Sequence, residues 1–132
     1  MGKGERGYRR YDVEGFEVLV GRGDADNDEL SLRVAAPHDF WLHVAATPGS
    51  HVVVRNPQRL DELPVAVVER AAQLAVWFSK SRQAGGKVAV HMCRAADVGK
   101  KRGMARGAVL LRRYSTVRVY ARPPEGEPPS AS

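Results

Sequence analysis

Only one stretch of this chain carries a long helical period, "PVAVVERAAQLAVWFSKSRQ" at residues 64–83. Asp61 and Glu62 precede it, Pro64 opens it, and Gly85-Gly86 follows as a pair able to leave the right-handed region. Ala71, Ala72, Ala75 and Ser79 give it a flank of small residues suited to lying close on a sheet. Glu69, Gln73 and Lys80 mark a solvated stripe. Most other apolar runs are short and alternate with polar residues, as half-buried strands do. One helix among many short strands predicts an α+β fold, a mixed, largely antiparallel sheet packed against that helix.

The expected strands are "GFEVLVGR" (15–22), "ELSLRVAA" (29–36), "FWLHVAA" (40–46), "HVVVRN" (51–56) and "KVAVHMC" (87–93), with two more in "VLLRRYSTVRVYA" (109–121) about Tyr114-Ser115. "GDADND" (23–28) and Thr47-Pro48-Gly49-Ser50 read as turns, and residues 94–108 as a basic, glycine-bearing loop. Residues 1–14 are expected to be a flexible basic lead-in, 15–122 the folded domain and 123–132 a disordered Pro-rich tail. "MGKGERGYRRYD" has no apolar segment behind it, so a signal peptide is not expected. No apolar run approaches the roughly 20 residues needed to span a bilayer. Cys93 is the only cysteine, which excludes an internal disulfide and fits a reducing cytoplasm. Its place in an alternating apolar run reads as a buried small hydrophobe.

The formal charge of +6 conceals a segregation. Residues 1–79 hold 9 basic and 12 acidic side chains, whereas residues 80–122 hold 12 basic and one acidic, Asp97. Such a segment makes a local positive field that attracts polyanions.

Chemistry concentrates between Asp39 and Arg55. In a strand, Phe40, Leu42 and Val44 face one side while Trp41 and His43 share the other. On an open face that pair can stack bases and bond their edges; alternatively Trp41 packs under the helix and His43 is satisfied by a backbone carbonyl. His51, Val53 and Arg55 share a face of the next strand, and Ser50 with the turn amides around Gly49 can cradle an anion. In the basic loop, Lys100, Lys101, Arg102 and Arg106 sit among glycines 99, 103 and 107, without a P-loop pattern. Asn27 and Asp28 read as caps of backbone groups, or as a partner that orients Arg22.

A calcium loop is not expected, because Glu29 and Ala35 stand where a glycine and a glutamate are required. No metal site or cofactor is expected either, since the four histidines lack the helical pairing of zinc proteases and there is one cysteine. Asp39 with His43 and His51 is the one acid–base arrangement available; Ser50 lacks a nucleophile-elbow motif.

In order along the chain, "GR…ND…L", "DFWLHV…PGSHVVVR", "P…AAQLAVWFSKSR", "KVAVHM…DVGKKRG…GAV" and "STVRV" closely resemble the NFACT-R domain over residues 15–120. That family is the RNA-binding part of NFACT proteins, factors of ribosome-associated quality control that bind tRNA and the large ribosomal subunit. The resemblance implies a stand-alone, single-domain bacterial type. It implies a non-catalytic, cytoplasmic module for structured RNA, tRNA or rRNA, with the ribosome as a further partner and no membrane. RNA contacts are then expected at Arg22, Asn27, Trp41, His43, Ser50, His51, Arg55, Lys80, Arg82, Lys100, Lys101, Arg102 and Arg106. Asp28, Asp39, Pro48, Gly49 and Ser79 are expected to shape the fold. Two alternatives stay open: an RNA-modifying or RNA-processing enzyme using His43 or His51 with Asp39, and a protein-interaction module of a ribosome-associated complex.

Overall fold

The computed structural model of the chain describes residues 8–124. Strands β1 (Arg9–Val13) and β2 (Phe16–Val20) form a hairpin closed by Glu14 and Gly15, whose φ values of 52° and 89° suit a type I′ turn. The Asp12 carboxylate accepts the Gly15 N–H at 2.8 Å, and glycine takes the larger positive φ without strain. The expected flexible lead-in over residues 1–14 is therefore corrected from Arg9 onward; residues 1–7 lie outside the described chain. Val13 is buried and Tyr11 packs against the core, so the side chains of β1 hold it in place.

Next come helix α1 (Asp24–Glu29) and, without a break, a π-helical turn over Leu30–Val34. This corrects the turn and the strand expected from "GDADND" and "ELSLRVAA". Leu30 and Ser31 are buried side by side, Leu32 and Arg33 are exposed, and Val34 and Ala35 pack inward one turn later. Buried positions thus recur at helical spacing instead of alternating. Asp24 and Asp26 occupy the first turn, where the helix dipole favours acidic side chains.

Strands β3 (Phe40–Val44) and β4 (Val52–Val54), helix α2 (Val65–Trp77) and strand β5 (Val88–Arg94) follow. A 3-10 turn (Ala95–Asp97) leads to β6 (Val98–Gly99), β7 (Leu110–Leu111) and β8 (Ser115–Val119). Helix α2 ends before the expected limit at residue 83 because Ser79 leaves it to bridge Gly49, and the Ser50 N–H donates to the Phe78 carbonyl at 3.0 Å. Six strands form one sheet in the order β1-β2-β4-β3-β5-β8, every neighbouring pair antiparallel. Strands β6 and β7 pair separately, so the two strands expected about Tyr114-Ser115 belong to different sheets.

The fold is α+β, with one main helix on an antiparallel sheet. Val18, Val20, Leu42, Val44, Val52, Val54 and Val90 meet Val67, Ala71, Leu74 and Ala75 of α2 in a dry core. On the opposite face Leu19, Trp41, Val53 and Cys93 are covered by Leu30, with Val34, Val98, Val109 and Leu111 packed around them. That cover is partial. Beyond Trp41, His43 of β3 lies opposite His91 of β5, which lies opposite Thr116 of β8. This half of the face is only partly buried. At the other end of the chain, Arg70 of α2 donates to the carbonyls of Arg122 and Pro123, and Pro124 is buried. The start of the expected tail therefore lies against the fold, and residues 125–132 are outside the described chain.

Candidate nucleic-acid interface

Alternation in β3 sends Trp41 and His43 to the face away from α2, as the strand pattern predicts, but Trp41 is only 1% exposed. Its stacking role is thus corrected: Leu30 and Val34 of the π-helical turn, with Val98, Val109 and Leu111, cover this part of the face. The indole Nε1–H donates to Ser31 Oγ at 2.7 Å, and Ser31 Oγ lies 2.7 Å from His51 Nδ1. Burial, then the neighbouring His43 ring, lowers the His51 pKa to about 4, so the ring is neutral at neutral pH. Trp41, Ser31 and His51 form one hydrogen-bonded chain that ties β3, the π-helical turn and β4's approach together. Every buried polar group in that chain has a partner, which is the condition for carrying it in a core.

His51 is itself positioned by Asn27, whose side-chain oxygen accepts the His51 N–H at 3.0 Å while its amide donates to the Gly49 carbonyl at 3.3 Å. Gly21 lets Asn27 approach, since a Cβ there would stand 2.2 Å from Asn27 Oδ1. Gly49 likewise admits Ser79, because a Cβ on Gly49 would lie 2.6 Å from Ser79 Cβ. The Lys80 N–H donates to the Pro48 carbonyl at 3.2 Å, which closes the turn on the end of α2. His43 is half-buried; its Nε2 donates to the Gly49 carbonyl at 3.3 Å, and burial lowers its pKa.

Asp39 is fully engaged elsewhere. One carboxylate oxygen accepts the Asn56 N–H at 2.7 Å; the other accepts the Ala36 N–H at 2.9 Å and pairs with Arg55 Nε at 3.0 Å. The acid–base arrangement of Asp39 with His43 or His51 is therefore not assembled, and Arg55 is committed to this carboxylate. Cys93 is buried as expected, and its burial together with Asp97 pushes the thiol up to about 12.

Lys100 does not reach outward. Its ammonium meets the Asp28 carboxylate at 3.2 Å and donates to the carbonyls of Ala105 and Ala108 at 2.6 and 2.8 Å. Those partners occupy its three hydrogens, so its expected phosphate contact is corrected to a fastening role. Asp28 also accepts the Gly107 N–H at 3.0 Å, which pins the loop to α1 from both ends. Arg82 is similarly tied, donating to the Trp77 carbonyl at 2.6 Å and lying 4.3 Å above the Trp77 ring. By contrast, Arg22, Lys80, Lys101, Arg102 and Arg106 are exposed and form no ion pair among the described residues. Ser50 is half-buried beside the turn.

Between the open half of the sheet and the loop runs a groove of about 500 Å³, whose lining includes Trp41, His43, Thr47, His51, His91, the segment Gly107–Leu111 and Tyr114. His91 and Tyr114 form a ring pair with centroids 4.2 Å apart. Neither residue was expected from the sequence to belong to the site. The strand "KVAVHMC" places His91 on the same face as Cys93, but its register against β3 is what brings it opposite His43. Ser31 was missed because its segment was read as a strand.

Residues 8–113 match the NFACT protein RNA binding domain. The chain belongs to that family. It is 35% identical over 107 residues to the Rqc2 homolog RqcH of Bacillus subtilis, and 39% identical over 103 residues to the Rqc2 homolog RqcH of Streptococcus suis. These matches cover 81% and 77% of this chain but 18% of each relative, so the chain spans about a fifth of their length. A solved structure, the C-terminal part of the fibronectin/fibrinogen-binding protein from Streptococcus suis, superposes with a TM-score of 0.80 at 33% identity. It covers 89% of this chain and 46% of that one. Within this NFACT domain, the motif around residues 39–51 builds structure first: Asp39 organises the entry to β3, Trp41 closes the second core, and the Pro48-Gly49 turn seats the end of α2. Among the described residues, no helix is long and apolar enough to cross a membrane.

Proposed function

We propose that this chain is a non-catalytic RNA-binding module that engages structured RNA, tRNA or rRNA, in a cytoplasmic role linked to ribosome-associated quality control. The carrying observation is the loop fastened by Lys100 and Asp28, which presents Lys101, Arg102 and Arg106 to solvent. A pinned loop holds these cations in place before the ligand arrives, which lowers the ordering cost of binding. Their attraction for phosphates is independent of sequence and releases counterions. The family match and the Rqc2-homolog relatives support the same reading. Asp39's engagement with Ala36, Asn56 and Arg55 weighs against the enzymatic alternative.

The test is a filter-binding titration of bulk tRNA at several salt concentrations, comparing the protein with a Lys101→Ala, Arg102→Ala, Arg106→Ala variant. Each phosphate contact contributes roughly 0.7–0.9 to the salt slope, so the variant's slope is expected to flatten by about 2–3. An unchanged slope would reject the assignment. A protein-binding reading has one point in its favour, the name of the Streptococcus suis protein whose structure superposes. It predicts capture of a protein partner that survives nuclease treatment.

A further inference from the structure

We infer that the groove between β3, β5 and the basic loop receives one unpaired nucleobase, stacked against the His91–Tyr114 pair. The inference rests on the RNA-binding reading above and says which part of an RNA enters this site. Tyr114 is 53% exposed although its ring lies 4.2 Å from His91. One ring face is thus spent on the imidazole, and much of the phenol remains open to solvent. Leu110, 44% exposed, adds apolar surface to the lining, and His43 and Thr47 supply polar groups at the end nearest the Pro48-Gly49 turn. A flat aromatic ligand with hydrogen-bonding edges fits such a slot; a sugar-phosphate chain alone does not use its apolar wall.

Charge around the groove identifies the kind of molecule that delivers that ring. Arg112 and Arg113 directly precede Tyr114, both exposed, and Lys101 and Arg102 stand on the adjoining loop. A base entering the groove therefore brings its flanking phosphates toward cations. Paired bases are stacked inside the helix and expose only their edges, so the occupant must come from a bulge, a loop or an end. Trp41, the aromatic that the sequence singles out, borders the groove, but at 1% exposure it offers no ring face to a base. His91 and Tyr114 supply the stacking surface in its place.

The experiment uses the full chain and three synthetic RNA probes: a 12-base-pair duplex with one bulged 2-aminopurine, the same duplex with an abasic residue at the bulge, and the fully paired duplex. The bulged probe is expected to bind about tenfold more tightly than the abasic one, and its 2-aminopurine fluorescence to change on binding. Tyr114→Ala should erase both effects, and Tyr114→Phe should restore them, since stacking needs the ring and not the hydroxyl. Lys101→Ala, in contrast, should weaken the bulged and abasic probes alike. Equal affinity of wild-type protein for bulged and abasic probes, with the salt slope intact, would overturn the groove assignment and leave RNA binding standing. No binding to any of the three probes would overturn the RNA-binding reading itself.

Discussion

The sheet face under α2 is closed by Val, Leu and Ala side chains, whereas the opposite face mixes Trp41, Leu19 and Val53 with a hydrogen-bonded chain through Ser31 and His51. The first surface has only to exclude water. The second must also hold a loop and a turn in register beside a groove, and polar groups with fixed directions do that better than aliphatic ones. Stability and positioning are therefore divided between the two faces. Lys100 and Lys101 repeat the division at smaller scale, as adjacent residues of one type with one half-buried against Asp28 and the other in solvent.

The largest expected effect lies on the aliphatic face. Leu42→Ala removes a fully buried side chain from the core beneath α2 and should cost about 2–5 kcal/mol in urea unfolding. A loss under about 1 kcal/mol would mean that this face is less tightly packed than its burial indicates.

Acid should act on the other face. His51 has a folded pKa of about 4 against an ordinary 6.5, so below pH 6.5 the unfolded chain takes up a proton that the folded chain refuses. Stability is then complete above pH 6.5 and declines as pH falls toward 4, by up to roughly 3 kcal/mol. His43 is shifted in the same direction and adds to the decline. Chemical unfolding from pH 7.5 to 4.5 would reveal it, and His51→Gln should flatten the curve; equal curves for the two proteins would break the assignment.

Smaller again is Ser31→Ala, which strips the indole N–H and His51 Nδ1 of their shared partner and should cost about 1–3 kcal/mol. Smallest is the contrast between the neighbouring lysines. Lys100→Ala should lower the urea midpoint by the equivalent of about 1 kcal/mol through loss of the loop's fastening, and Lys101→Ala should leave it within about 0.5 kcal/mol. Matching midpoints for the two variants would dissolve the distinction between them.

Much of the frame was legible in the residues. Alternation located β2, β3, β4 and β5 and set Phe40, Leu42 and Val44 on one face against Trp41 and His43 on the other, because strand geometry needs no knowledge of neighbours; that α2 covers the first face came only from the structure. Residues 30–34 were misread because Leu30, Leu32 and Val34 also alternate, and a short apolar run satisfies both periods. That one misreading removed the cover from the second face, so the residues left Trp41 between an open, stacking position and one under the helix, and neither alternative named the cover it has. The hairpin of β1 and β2 went unseen because Glu-Gly is a weaker turn signal than Asn-Gly, although it adopts the same geometry here.

By itself the sequence determined the α+β architecture, the side of the sheet on which each β3 residue falls and the excess of positive charge in residues 80–122, since these follow from local periodicity and from counting. Tertiary structure alone decided which cations face solvent, why Asp39 is consumed by backbone amides and Arg55, and how His91 and Tyr114 come to border His43. The reason is physical. Direction and partnership depend on what packs above a side chain, and for this face of the sheet that cover comes from distant residues, 30–35 and 98–111.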